Sequence, residues 1–159
     1  MEEIDIKLFD KITHCSVYSG KNINILFNGH NYRNQLVYLI NRESIPTNLK
    51  PQNHQCVKNA YYVGKLYGAQ IIEGLVIVFL QGAFTVQIHC WNCINDIPFD
   101  TTPFIREPDD IVYIPFRTFK HNEYRDAFGK NTKQYTFLSG GTILSFESET
   151  TKAINSIIL

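Results

Sequence analysis

Residues 71–102 read IIEGLVIVFLQGAFTVQIHCWNCINDIPFDTT, and the way this stretch divides decides the fold. Three runs rich in Ile, Val, Phe and Thr, at residues 71–80, 84–93 and 97–101, are separated by Gln81-Gly82 and Asn95-Asp96, pairs that suit tight hairpin turns. They form a meander of antiparallel strands. Just upstream, residues 51–68 carry the signals of a helix: Asn53 as N-cap, a stripe of Val57, Ala60, Tyr61 and Gly64, and Gly68 at the C-terminal cap position. Cys56 then falls in the first helical turn.

Further out the pattern is thinner. Residues 4–8 and 22–27 alternate as strands do, the second running into the turn pair Asn28-Gly29, and residues 32–42 space Leu36, Leu39 and Ile40 at helical intervals before Ser44-Ile45-Pro46. Downstream, the spacing predicts a strand over 111–116, a short helix over 122–128 and a hairpin of 135–138 with 142–146 around Gly140-Gly141. A last helix is predicted from Ser148, with Ala153, Ile154 and Ile157 inward. The expected class is α+β, helices first and then an antiparallel sheet.

The chain has 159 residues, 44% hydrophobic and 19% charged, with no repeat, linker or low-complexity tract. A single domain over residues 1–159 is expected. Fifteen basic residues balance fifteen acidic ones, so the broad positive field of a nucleic-acid or anionic-membrane binder is absent. The opening MEEIDIKLFD has acidic residues where a signal peptide places basic ones, and the run LVIVFL at 75–80 is far short of the roughly 20 apolar residues that span a bilayer. A soluble, cytoplasmic protein is the expectation, with its four cysteines as reduced thiols and not a disulfide framework.

Three residues carry the sharpest chemistry: Cys56 at a helix start, His89 in a strand and Asp100 in the strand that follows. The first turn of a helix favours a thiolate, an imidazole supplies the base, and a carboxylate orients that imidazole. If His89 and Asp100 stand directly opposite in their hairpin, the turn between them falls within residues 93–96, and both project to one face. Trp91 and Pro98 are then expected as the next pair.

The runs Ile88-His89-Cys90-Trp91-Asn92 and Pro98-Phe99-Asp100-Thr101-Thr102 resemble the His-Ala-Trp and Asp-Pro-Thr signatures of transglutaminase-like cysteine enzymes, within the wider papain-like Cys-His-Asp group. The helix Gln55-Cys56-Val57-Lys58-Asn59-Ala60 stands where that group places its nucleophile, and Glu73-Gly74 resembles the strand that follows it. The resemblance covers residues 52–102 and implies a nucleophile-bearing helix packed on an antiparallel sheet that holds the His and Asp. Cys90 replaces the usual Ala and Thr101 the usual Pro. Gln55 and Val57 flank the nucleophile where transglutaminases have a Trp, which favours hydrolysis over acyl transfer to amines.

The expected activity is hydrolysis of an amide or peptide bond through a thioester, with Cys56 attacking, His89 moving the proton and Asp100 orienting His89. No cofactor is required, and the expected partner is a protein or peptide substrate. Oxyanion donors are the Cys56 backbone N–H with a side-chain amide from Gln52, Asn53 or Gln55. Trp91 and Glu73 are candidates for the substrate cleft. The alternative is a non-catalytic binding or scaffold protein of viral or host-interacting origin, in keeping with an Ile-, Asn- and Lys-rich, AT-rich coding bias.

A third reading takes Cys90 and Cys93 as structural zinc ligands. Residues three apart in a regular strand point to opposite faces, no second ligand pair has zinc spacing, and Trp91 stands where a zinc deaminase needs Glu. Of the other histidines, His54 is expected on the surface, and His14, His30 and His121 have no partner at metal-ligand spacing. Arg117, Lys120, His121 and Arg125 make a modest basic face.

Overall fold

The computed structural model describes residues 1–18, 22–27, 30–53 and 55–123. Most of the sequence-predicted helix 122–128, the hairpin of 135–146, the final helix, the Asn28-Gly29 turn, His54 and Arg125 lie outside the described residues. The protein is mixed α+β, dominated by one seven-stranded sheet. In chain order the strands are β1 (Glu2–Leu8), β2 (Lys11–Val17), β3 (Asn24–Phe27), β4 (His30–Arg33) and β5 (Tyr38–Ile40). A 3₁₀ turn (Arg42–Ser44) and helix α1 (Cys56–Tyr67) follow, then β6 (Gln70–Leu80), β7 (Ala83–Ile94), β8 (Ile97–Asp100) and β9 (Asp110–Phe119). The sheet order is β1-β2-β5-β8-β7-β6-β9, with β3 and β4 as a separate hairpin.

The β6–β7–β8 meander forms as its sequence predicts. Gln81 and Gly82 have φ of 52° and 77°, and Asn95 and Asp96 have 49° and 62°, so both connections are two-residue turns with positive φ throughout, whose twist matches that of the flanking strands. Both faces of β6 are covered. Leu75 and Ile77 pack with Ile23, Val86, Val112 and Ile114, while Ile72 and Val76 pack with Tyr18, Val37, Trp91 and Tyr113. Two-sided burial explains why β6 reads as a continuous apolar run instead of an alternating one. Each large apolar side chain buried in this way contributes about 1.5–3 kcal/mol.

The front of the chain departs from its sequence pattern. Five strands precede α1, so the order is not helices first, and β2 was not visible as a strand because its turn uses Phe9 and Asp10, at φ of 54° and 58°, without glycine. Residues 32–42 are not a helix. Tyr38–Ile40 enters the sheet as β5, antiparallel to β2 (Cys15↔Ile40) and parallel to β8 (Leu39↔Asp100), which also makes the sheet mixed and not purely antiparallel. The spacing of Leu36, Leu39 and Ile40 imitates a helical stripe, but Leu36 is 52% exposed and Val37 is buried in its place. A vacant slot between two strands distant in sequence outweighs local spacing.

Helix α1 ends as expected, with Gly68 at φ 69° and its N–H donating to the Gly64 carbonyl. It starts later than expected: Gln55, not Asn53, is the N-cap, and no side chain caps it. Its buried face is Asn59, Ala60, Val63 and Gly64, turned from the expected stripe by the polar Asn59. The side chain of Asn92 in β7 fastens this face to the sheet by donating to the carbonyls of Ala60 (2.9 Å) and Gln70 (3.1 Å).

Candidate active site

The site forms where a strand runs out. The β7–β8 ladder stops at Asn92↔Phe99, so the β8 side of β7 is left without a partner strand among the described residues just as the chain reaches Cys90 and His89. The start of α1 meets β7 there. The Cys56 sulfur receives three donors: the Cys90 thiol, the His89 ring and the Cys90 backbone N–H.

Electrostatics at Cys56 follow from those donors. The Cys90 hydrogen bond lowers its pKa most, burial opposes this, and the hydrogen bond and charge of His89 then bring the thiol well below its ordinary value of 9.0. The uncapped helix start acts in the same direction, because first-turn N–H groups favour negative charge. The other thiols behave oppositely. Burial pushes Cys15, with 0% exposure, up to about 11, and burial also raises Cys93. Cys15 is therefore an inert core residue packed with Leu8, Ile40 and Phe99.

His89 is 6% exposed and places Nε2 2.6 Å from Oδ2 of Asp100, which leaves Nδ1 for the Cys56 sulfur. Burial alone would lower the His89 pKa. The charge and hydrogen bond of Asp100, joined by Cys56, outweigh it and push His89 up to about 10. The two shifts run in opposite directions, Cys56 down and His89 up, and both favour the thiolate–imidazolium form of the pair.

The direct opposition of His89 and Asp100 expected from the sequence does not occur. The turn is Asn95-Asp96, so the register runs Ile94↔Ile97, Cys93↔Pro98, Asn92↔Phe99, and its continuation sets Trp91 across from Asp100. Pro98 thus faces Cys93, not Trp91. His89 reaches Asp100 diagonally, two residues along the same face, a separation that a long ring spans.

Asp100 is 2% exposed and heavily engaged. Besides His89, it accepts from the Tyr113 hydroxyl at Oδ2 (2.7 Å) and from the Thr102 N–H at Oδ1 (2.9 Å). Thr102 continues the chain of contacts: its hydroxyl accepts from Asn59 Nδ2 (3.1 Å), and Asn59 binds both the N–H (3.1 Å) and the carbonyl (2.8 Å) of Gln52. One amide in α1 therefore ties the approach to Cys56 to the end of β8.

Among the oxyanion candidates, Gln52, Asn53 and Gln55 are all exposed beside the helix start, with Gln52 held by its backbone and Asn53 outside the helix it was expected to cap. Trp91 does not line an open cleft. It is 1% exposed, its ring lies near-parallel to His89 (centroids 6.1 Å apart, 23° between planes) and edge-on to Tyr113 (5.0 Å), and its indole N–H donates to Gln35 (3.0 Å). It is the floor on which the imidazole rests. Glu73 is buried and paired with Arg117, so its carboxylate is already committed within the protein. Arg117 is likewise more than part of a solvated basic face.

Cys90 packs with Ala60 and Ile71 under α1, whereas Cys93 packs in the cluster of Trp91 and Tyr113 on the other face. The two thiols point apart, which removes the geometry of a zinc pair, and among the described residues no group of three or more His, Cys, Asp or Glu side chains is placed to hold a metal ion. His14, which had no evident partner, bridges Asp5 and Glu3 across the β1–β2 hairpin at 2.8 Å each.

Tyr113, Asn59 and Gln35 are contributors that the sequence did not single out, and Cys90 was weighed there only as a zinc ligand and as the replacement of an Ala. Of the first three, Asn59 alone left a trace, as a polar residue on what becomes the buried face of α1. No described helix is long and apolar enough to cross a membrane. Comparison of the chain with protein-family models, with curated proteins and with solved structures finds no match in any of the three.

Proposed function

We propose that the protein is a cysteine hydrolase that cleaves an amide or peptide bond through a thioester, on a core of the transglutaminase-like kind. The observation that carries this reading is the contact of Cys56, at a helix start, with an imidazole whose far nitrogen is held by a buried carboxylate. Cys56 thiolate attacks the carbonyl carbon, and the negative charge moves to the carbonyl oxygen. The Cys56 backbone N–H and an amide of Gln52, Asn53 or Gln55 are the donors for that oxyanion. His89 gives its proton to the leaving nitrogen as the C–N bond breaks, then takes one from the water that opens the thioester. Asp100, held by Tyr113 and Thr102, keeps the ring aligned and balances its charge.

The test is selective labelling joined to turnover. Iodoacetamide at near-neutral pH should modify Cys56 in the wild type and in Cys15→Ala, and Cys56→Ala should abolish it. The wild type, but not Cys56→Ala or His89→Ala, should release cleaved or deamidated products from a mixed peptide library read by mass spectrometry. Equal labelling of the Cys15→Ala and Cys56→Ala variants would overturn the reading.

A further inference from the structure

Cys90 does more at this site than a small strand residue needs to. Its thiol and its backbone N–H both donate to the Cys56 sulfur, and its side chain packs in one cluster with Ala60 and Ile71, against which Cys56 lies. Cys56 is half-buried at the surface end of the contact and Cys90 is fully buried behind it. Cys15 and Cys93 belong to other clusters. The arrangement is a half-buried reactive sulfur at the surface end of the cluster with a second, fully buried thiol packed behind it, which is the disposition of an oxidisable cysteine with a resolving partner.

We propose that Cys56 and Cys90 are a second, redox site in which a peroxide converts the two thiols to an intramolecular disulfide, reversibly blocking Cys56. In the first step the Cys56 thiolate attacks the near oxygen of the peroxide and the O–O bond breaks. Cys56 becomes a sulfenic acid, and the leaving oxygen takes the His89 proton and departs as water or an alcohol. In the second step the Cys90 sulfur attacks the Cys56 sulfur and displaces hydroxide, which leaves as water with the Cys90 proton. Two thiols lose two electrons and the peroxide gains them. Closing the bond brings the sulfurs from hydrogen-bond contact to roughly 2.05 Å, a movement that the first turn of an uncapped helix can supply.

The benefit is protection as well as control. A thiolate that reacts with peroxide and finds no second thiol proceeds to sulfinic and sulfonic acids, which are not recovered by thiol reductants. With Cys90 beside it, Cys56 is trapped at the reversible level. The site rests on the reactive Cys56 of the proposed function, but it makes a demand of its own, that Cys90 be the thiol which captures the oxidised sulfur.

The experiment uses the full chain, reduced, with hydrogen peroxide as the probe, followed by alkylation, peptide mapping and free-thiol titration. The wild type is expected to lose two of its four free thiols, yield a Cys56–Cys90 cross-linked peptide and recover Cys56 alkylation after dithiothreitol. Cys90→Ala and Cys90→Ser, two variants of different polarity and similar size, are expected to yield no cross-link and to accumulate irreversibly oxidised Cys56. The inference is overturned if wild type and both variants accumulate oxidised Cys56 to the same extent, or if the cross-link runs through Cys15 or Cys93. It is also overturned if Cys56 resists peroxide yet is alkylated selectively, an outcome that leaves the hydrolase reading intact. Failure of both reactions removes both.

Discussion

Tyr113 and His89 meet on one atom: the tyrosine hydroxyl lies 2.7 Å and the imidazole Nε2 2.6 Å from the same oxygen of Asp100. The tyrosine acts on the imidazole through this buried carboxylate as well as by direct ring contact, the two ring centroids lying 5.9 Å apart. Removing it leaves a carboxylate with one donor fewer in a place where water cannot substitute. Tyr113→Phe should lower unfolding free energy by about 1.5–3 kcal/mol, the usual worth of a hydrogen bond to a charged group, in urea titration, while Cys56 keeps its selective alkylation. Loss of that selectivity would show that Tyr113 is needed to place the ring and not only to satisfy Asp100.

Asp100→Asn should act on the ring directly. The charge and hydrogen bond of Asp100 are what hold His89 above its ordinary value against burial, so the amide lets its pKa fall and the thiolate–imidazolium pair revert to neutral partners. Alkylation of Cys56 near neutral pH should slow by at least about tenfold, the effect of one pKa unit or about 1.4 kcal/mol. The stacking of His89 on Trp91, the only tryptophan of the chain, lets indole fluorescence follow the same change as a pH titration.

The pair also imposes a pH dependence on stability. His89 has a folded pKa raised to about 10 from 6.5, so its contribution is complete below 6.5 and is lost as pH rises through 10. Cys56 has a folded pKa lowered from 9.0, so its contribution is present above 9.0 and is lost as pH falls through the folded value. Between 6.5 and 9.0 the two slopes cancel, because folded and unfolded chains each hold one proton on the pair. Urea midpoints of the wild type relative to a Cys56→Ser/His89→Gln double variant should rise up to about pH 6.5, stay level to 9.0 and fall above it. A flat difference across the range would mean that the ion pair does not form.

Gly74 stands opposite His89 in the β6–β7 ladder, at the bulge where β6 shifts register against β9. A Cβ there would sit 2.0 Å from the Ile114 carbonyl oxygen, 2.9 Å from Pro115 Cα and 2.9 Å from the edge of the Trp91 ring. Two of these neighbours are backbone and cannot turn aside. Gly74→Ala should cost at least about 1–3 kcal/mol and shift the Trp91 emission spectrum as the indole is displaced from beneath His89.

Asn59→Leu keeps the volume of a buried side chain and deletes its three hydrogen bonds, orphaning the Gln52 main chain and freeing Thr102. Stability should drop by about 1–3 kcal/mol. Alkylation of Cys56 should slow as well, since the helix start and the loop after Asp100 are no longer held together. Unchanged alkylation at reduced stability would assign Asn59 a purely structural part.

Legibility followed the range of the interactions concerned. The β6–β7–β8 meander could be read because its turn pairs tolerate positive φ and its runs are long and β-branched, which are properties of adjacent residues. Gly68 likewise announced the end of α1. The error in the His89–Asp100 register came from requiring direct opposition, when the turn residues themselves set Cys93 against Pro98 and a diagonal contact sufficed. At the front, apolar spacing suggested a helix because nothing local reveals that β2 and β8 leave a strand-wide gap between them.

The sequence by itself determined the antiparallel meander, the helix that precedes it, and the grouping of Cys56, His89 and Asp100 as candidates, since capping, turn chemistry and strand alternation act over a few residues. Only the tertiary structure decided that Tyr113, Thr102 and Asn59 brace the carboxylate, that Trp91 lies beneath the imidazole instead of in a cleft, and that Cys90 touches Cys56. Each of those contacts joins residues brought together by strand pairing or by helix docking on the sheet. What selects such neighbours is the burial and hydrogen bonding of the whole core, which no local pattern of residues records.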